Sequence, residues 1–131
     1  MYSLEGKQLI GSQAVEAKGE PIHAVNPATG ETLEPGYKAG SKAEVERACE
    51  LAWAAFDSYR ETGLEARATF LETIADEIEA LGDALIERAM QETGLPQARL
   101  AGERGRTCGQ LRLFADTVRA GEWLDAVSYT H

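Results

Sequence analysis

Ser41-Lys42-Ala43-Glu44-Val45-Glu46-Arg47-Ala48-Cys49 is where the chain changes character. Ser41 followed three residues later by Glu44 is a capping-box pattern. The Ser41 hydroxyl is placed to accept from the Glu44 amide, and the Glu44 carboxylate to reach back to the Ser41 N–H. Behind it Val45, Cys49, Ala52, Trp53 and Phe56 recur at helical spacing, which predicts a helix with an inward apolar stripe ending near Tyr59. The residues before Ser41 read differently. Residues 1–40 hold six of the 13 glycines and three of the four prolines, with short apolar stretches between them, a pattern of strands and turns. Leu9-Ile10 and Ala14-Val15 on either side of Gly11 form a small ribbon. Ile22 to Val25, Asn26-Pro27-Ala28-Thr29-Gly30 and Glu31 to Leu33 form a clearer hairpin. Pro27 fixes φ near the value a turn needs, and Gly30 takes a positive φ at little cost. Ribbons this short are marginal alone and need something to pack against.

Three further helices follow the first. One runs from about Leu64 to Leu81 with Phe70, Ile74, Ile78 and Leu81 on one stripe, and Gly82-Asp83 marks its end. The next covers Asp83 to Thr93, with Leu85, Ile86, Ala89 and Met90 inward and Gly94 as its stop. Pro96 suits the start of the last, which carries Leu100, Leu111, Phe114 and Val118 and fades at Gly121. The expected fold is therefore mixed α/β: a β-ribbon and hairpin region over 1–40, a helical part over 41–124, and a tail over 125–131 of different character.

Composition narrows the function. The chain has 131 residues, the size of one domain, and 44% of them are hydrophobic. Its net charge is −9 and its pI about 4.7. The basic residues are scattered among more numerous carboxylates, so nucleic acid and anionic membranes are not expected partners. No apolar run approaches the roughly 20 residues needed to span a bilayer, and the first residues carry no leader-type pattern. Cys49 and Cys108 are too few for a disulfide scaffold. A reduced, cytoplasmic chain is expected. His23 and His131 lack acidic or cysteine companions at ligand spacing, so neither is assigned a metal.

The order of elements carries more than any one of them. The leading ribbon, Asn26-Pro27-Ala28-Thr29-Gly30-Glu31, the capped helix with Leu51-Ala52-Trp53-Ala54-Ala55-Phe56, Glu65-Ala66-Arg67-Ala68, Phe70 to Ile78, and Glu92-Thr93-Gly94-Leu95-Pro96 together resemble the start of the aldehyde dehydrogenase superfamily. The resemblance covers roughly residues 8–124. Within it, Glu103 to Thr107, Gly109 to Ala115 and Gly121-Glu122-Trp123-Leu124 resemble a branch acting on α-ketoglutaric semialdehyde (2,5-dioxopentanoate). The resemblance implies an NAD(P)-dependent oxidation of an aldehyde to an acid. A cysteine thiolate attacks the aldehyde, hydride passes to the nicotinamide, and a glutamate activates the water that releases the acid. It also implies that these helices cover one side of a parallel, Rossmann-type sheet lacking in these residues, and that the ribbon belongs to an oligomerisation region. The remainder of such a dehydrogenase chain and further copies of it are the expected partners.

No catalytic, cofactor-binding or metal residue carries over to this chain, because the nucleophile, the base and the dinucleotide segment of the family lie beyond these helices. The chain alone is expected to bind no NAD or NADP and to be inactive, as a truncated, frame-altered or incomplete product of a longer gene. With its apolar faces unmatched, it is also expected to aggregate or associate. A non-catalytic helical interaction or oligomerisation module derived from the family is the alternative. Cys49, beside Val45 and Trp53, reads as a buried packing residue rather than a nucleophile. Cys108 has basic neighbours, but helix packing is again the preferred reading. Gly102, Gly105 and Gly109 share one helical face and match no nucleotide loop, which suggests close approach of a neighbouring backbone. Arg104, Arg106 and Arg112 form the candidate site. In the family this helix lies near the substrate entrance, where arginines would clamp a substrate carboxylate. The competing reading is surface ion pairing, with Glu103 and Asp116 in helical reach.

Overall fold

In the computed structural model, which describes residues 3–125, the chain divides into two compact units. The first comprises residues up to 61 together with 91–94, and the second residues 62–90 together with those from 95 on.

The first unit begins with β1 (Gln8–Ile10) and β2 (Gln13–Val15), an antiparallel pair in the register Gln8↔Val15 and Ile10↔Gln13. Gly11 turns the chain between them at φ 62°. A second ribbon joins β3 (Pro21–Ile22) to β4 (Tyr37–Lys38). The turn expected between them forms: the Asn26 carbonyl accepts the Gly30 N–H at 2.8 Å, and Asn26 Oδ1 accepts the Ala28 N–H at 3.0 Å. The strands beside that turn are shorter than the sequence suggests. Val25 and Thr32 form an isolated bridge, with further bonds from Asn26 N to Glu31 O and from Leu33 N to Ala24 O, both 2.8 Å. Pro35 lies in the returning arm and has no N–H to give a ladder, so regular pairing resumes only at Tyr37. Gly6, at φ 66°, passes so close to Gly36 that a Cβ there would lie 2.2 Å from its carbonyl oxygen. No other residue type fits that approach.

Helix α1 (Lys42–Arg60) starts where the capping box predicts. The Glu44 carboxylate accepts the Ser41 N–H at 2.6 Å and also accepts from the Ser41 hydroxyl, which holds it below the usual carboxylate range. Its expected inward stripe is a different matter, because no residue of α1 is buried. Trp53 is 83% exposed, Val45 and Phe56 are more than half exposed, and Cys49 is exposed too. The reading of Cys49 as a core residue is thereby corrected. Within this unit the ribbon meets the helix through β1 and at Leu51, which lies against Gly11. Two three-residue strands are too small to cover a nineteen-residue helix. Periodicity reports which face is apolar, and says nothing of whether a partner is present. Among the described residues of this unit Ala17 is the one buried hydrophobic.

The second unit is built on α2 (Leu64–Ala80) and α4 (Gln97–Ala120). They run antiparallel, as the contacts between them show: Arg119 reaches Glu65 and Glu72, Arg112 reaches Asp76 and Glu79, and Cys108 touches Ala75. Residues of α2 sealed at 0% exposure are Ala68 and Ala75, and those of α4 are Cys108 and Ala115. Each pair is seven residues apart, so small side chains recur every two turns along one seam and let the backbones approach closely. The expected interior of large side chains is corrected here. Phe70 and Phe114 are more than half exposed, while Ile74, Ile78, Leu81, Leu111 and Val118 are only half-buried. Between these helices in sequence lies α3 (Gly82–Thr93), with Ile86 buried. Gly94 ends α3 at φ 70°, and Pro96 caps α4 with its carbonyl accepting the N–H groups of Arg99 and Leu100. Gly121 ends α4 in the left-handed region, as expected. The four expected helices are joined by a short fifth, α5 (Glu122–Asp125), that the sequence reading did not anticipate. Among the described residues no helix is long and apolar enough to cross a membrane.

Candidate functional site

The three arginines singled out from the sequence all lie on α4, and the structure gives them three different situations. Arg104 is half-buried and donates from Nη1 to the Gly82 carbonyl at 2.8 Å, tying α4 to the start of α3. Arg112 clasps α2: Nη1 lies 2.8 Å from Glu79 Oε1, and Nη2 lies 2.9 Å from Asp76 Oδ1 and 3.0 Å from Glu79 Oε2. The geometry depresses the Glu79 carboxylate, chiefly through the Arg112 hydrogen bond, and raises the guanidinium further above its ordinary value. Arg106 is exposed, and among the described residues it makes neither a hydrogen bond nor an ion pair. The three therefore do not form one clamp.

The ion-pair partners also differ from those expected. Glu103 pairs with Arg99 at 2.8 Å, and Asp116 with Arg119 at 3.5 Å, so neither serves Arg104, Arg106 or Arg112. Arg119, which the sequence reading passed over, bonds Glu65 through Nε at 2.8 Å and also pairs with Glu72. Its hydrogen bond is the main reason the Glu65 carboxylate lies below its usual range. A signal for this clasp was present. Glu65, Glu72 and Glu79 recur every seven residues, as do Arg112 and Arg119. Matching recurrences of opposite charge on two helices mark facing ridges.

The cysteines separate as clearly. Cys108 is fully buried, with its thiol 3.6 Å from the Ala75 carbonyl, and it packs the seam as expected. Cys49 stands exposed on α1. His23 Nε2 lies 3.4 Å from Glu34 Oε2 in the second ribbon. His131 lies outside the described residues. Among the described residues no group of three or more His, Cys, Asp and Glu side chains is gathered for a metal.

Gly102, Gly105 and Gly109 do not meet a neighbouring backbone. A Cβ added at any of them would find nothing within 4 Å. All three lie inside the continuous helix α4, where their N–H groups are held by carbonyls one turn back. Such a stretch cannot cradle a dinucleotide phosphate. Two clefts among the described residues are no better suited. One of about 360 Å³ lies between β1–β2 and α1, by Ile10, Val15, Arg47 and Leu51. The other, about 380 Å³, lies among Ile78, Leu85, Leu100 and Arg104. The first also holds Glu44, whose carboxylate is taken up by Ser41, and the second Glu103, which pairs with Arg99. The described residues of α4 and of these clefts do not fit a nicotinamide cofactor.

In chain order, two small ribbons and a capped helix precede the antiparallel helix pair. Residues 14–128 match the aldehyde dehydrogenase family, and the chain belongs to that family. It is 60% identical over 124 residues, or 94% of its length, to alpha-ketoglutaric semialdehyde dehydrogenase 2 of Azospirillum brasilense. It is 43% identical over 126 residues, or 96% of its length, to alpha-ketoglutaric semialdehyde dehydrogenase of Acinetobacter baylyi. The chain spans 24% of the length of each of these curated relatives.

Proposed function

We propose that this chain is the N-terminal part of an NAD(P)-dependent dehydrogenase that oxidises α-ketoglutaric semialdehyde to the dicarboxylic acid. The observation that supports this best is 60% identity across 94% of the chain to an enzyme named for that substrate. On this reading the residues described here supply scaffold. The α2–α4 pair is a rigid strut, and α1 presents an apolar stripe to the remainder of the dehydrogenase chain. The nucleophilic thiolate, the glutamate base and the cofactor site belong to that remainder, which also takes part in a cytoplasmic homo-oligomer. Alone, these 131 residues are inactive.

A chimera tests the reading. Residues 8–125 of this chain replace the matching segment of the Azospirillum brasilense relative, and cofactor reduction is followed with α-ketoglutaric semialdehyde. The chimera is expected to oxidise the aldehyde, while the isolated chain produces no reduced cofactor. A soluble, folded chimera without activity on any aldehyde rejects the proposal.

A further inference from the structure

We propose that residues 6–8 are an edge guard: they cover the outer side of β4 and keep it from pairing with the same strand of a second copy. The direction of the backbone is the starting point. Ala39 gives its N–H to the Glu20 carbonyl at 3.1 Å and accepts the Gly19 N–H at 3.2 Å, so both its groups face the β3 side. Backbone groups alternate along a strand, so the N–H and carbonyl of Lys38 face the other way, where an edge would be open. Here the edge is covered. Gln8 donates from Nε2 to the Lys38 carbonyl at 3.2 Å, a side-chain amide standing where a neighbouring strand would place a backbone donor. The same amide lies against Gly40, 3.0 Å from where a Cβ would be. Two residues back on both segments, Gly6 passes so near the Gly36 carbonyl oxygen that a Cβ would lie 2.2 Å from it. Glu16 adds an ion pair to Lys38 Nζ at 3.3 Å. Gly6 with Gly36 and Gln8 with Lys38 are matched steps, so residues 6–8 run beside β4 in the same direction.

An uncovered sheet edge is a template for another strand, and proteins blunt it with short strands, lysines and covering segments. All three devices meet at β4, which is two residues long, carries Lys38 and lies under residues 6–8. What such an edge accepts most readily is a copy of itself. Two β4 strands set antiparallel about a two-fold axis offer each other the same donors and acceptors. With the axis at Tyr37, Lys38 of each copy stands opposite Gly36 of the other, and the two lysines stay apart. The carbonyls such a pairing needs are those that Gly6 and Gln8 cover. Apolar side chains flank the edge as well: Ile22 is 65% exposed, and Tyr37, its ladder partner, is exposed too.

The test measures self-association of the full chain by sedimentation equilibrium, with circular dichroism to confirm that the helices are kept. Gly6→Val cannot hold the approach to Gly36 and is expected to strengthen self-association on the order of tenfold, the gain of one or two backbone hydrogen bonds. Gln8→Ala leaves the backbone alone, frees the Lys38 carbonyl and should strengthen it about two- to fivefold. Adding Lys38→Pro to either variant removes the outward N–H, spares the β3 side of the strand and should restore the parent's association. The proline does not touch the apolar stripe of α1, so it separates edge pairing from association through that helix. Association no stronger than the parent's in both variants, or an increase that survives Lys38→Pro, overturns the edge guard. Should Gly6→Val fail to fold, Gln8→Ala with and without Lys38→Pro decides alone.

Discussion

Helices α1 and α2 are similar in length and composition, yet they sit in opposite circumstances. The α2–α4 pair closes around Ala68, Ala75, Cys108 and Ala115 and is clasped by Arg112 and Arg119. Helix α1 has the better-defined start, with its Ser41–Glu44 box, and buries no residue. Capping and spacing are enough to specify where a helix begins and which face is apolar. They do not supply the surface that would cover it. The seam of small residues does the reverse: it carries a weak apolar signal in the sequence, yet its four residues are sealed at 0% exposure.

The largest expected effect separates the two regions by volume. Ala75→Leu inserts a side chain into a site at 0% exposure and should cost about 1–3 kcal/mol or more. Ala52→Leu on α1 should be close to neutral. Urea midpoints for the two variants check this; equal midpoints would abolish the distinction between a sealed seam and a bare face. Next come two glycines of α4. Gly121 has φ 68° with Leu64 Cδ1 3.0 Å from a would-be Cβ, so Gly121→Ala should destabilise by about 1 kcal/mol or more. Gly102→Ala should stabilise by about 0.5–1 kcal/mol, since it removes a flexible residue and meets nothing. A Gly102→Ala variant that melts lower than the parent would mean that this face of α4 is packed after all.

Acid should act on both regions through different groups. Hydrogen bonds from Arg119 and Arg112 depress Glu65 and Glu79, and those from Ser41 depress Glu44. A carboxylate whose folded-state pKa is depressed contributes stability that is fully present above its unfolded value. That contribution is lost as pH falls through the folded value. The window therefore lies below the usual glutamate value of 4.5. Glu65 and Glu79 are exposed and Glu44 is half-buried at the surface, so the effect should be modest and salt-sensitive. Hydrogen exchange should show α1 fraying at its N-terminus while the α2–α4 clasp loosens. A pH-independent profile between 3 and 5 would indicate that these pairs contribute nothing. The smallest effect on stability is expected at Trp53. Trp53→Gln should change the melting free energy by no more than about 0.5 kcal/mol, yet reduce self-association measured by sedimentation. A loss of several kcal/mol would show that this indole is packed.

Much of this was legible before any coordinates. The α1 cap at Ser41, the Asn26–Gly30 turn, the stops at Gly94 and Gly121 and the ribbon around Gly11 follow from local chemistry, and local chemistry holds in any context. Errors arose where a residue's neighbour is distant in sequence. Periodicity places Cys49, Trp53 and Phe114 inward because a stripe implies a partner, and the shared face of Gly102, Gly105 and Gly109 implies one for the same reason. Arginine pairing failed in the same way. Helical reach pointed to Glu103 and Asp116, whereas Arg112 takes its partners from α2, more than thirty residues away. Among the three candidate arginines, the sequence could not say that Arg104 is taken by the Gly82 carbonyl and Arg112 by Asp76 and Glu79, because those partners lie on other elements.

The two cysteines turn this contrast into a gauge. Cys49 is open to a thiol reagent at all times, whereas Cys108 can be modified only in the moments when α2 and α4 part. If reclosure is fast compared with modification, the labelling rate of Cys108, divided by that of the same thiol in unfolded chain, equals the opening equilibrium constant. Cys49 reports in the same sample that the reagent is active. The chain thus contains its own clock and its own reference for how often its seam comes apart.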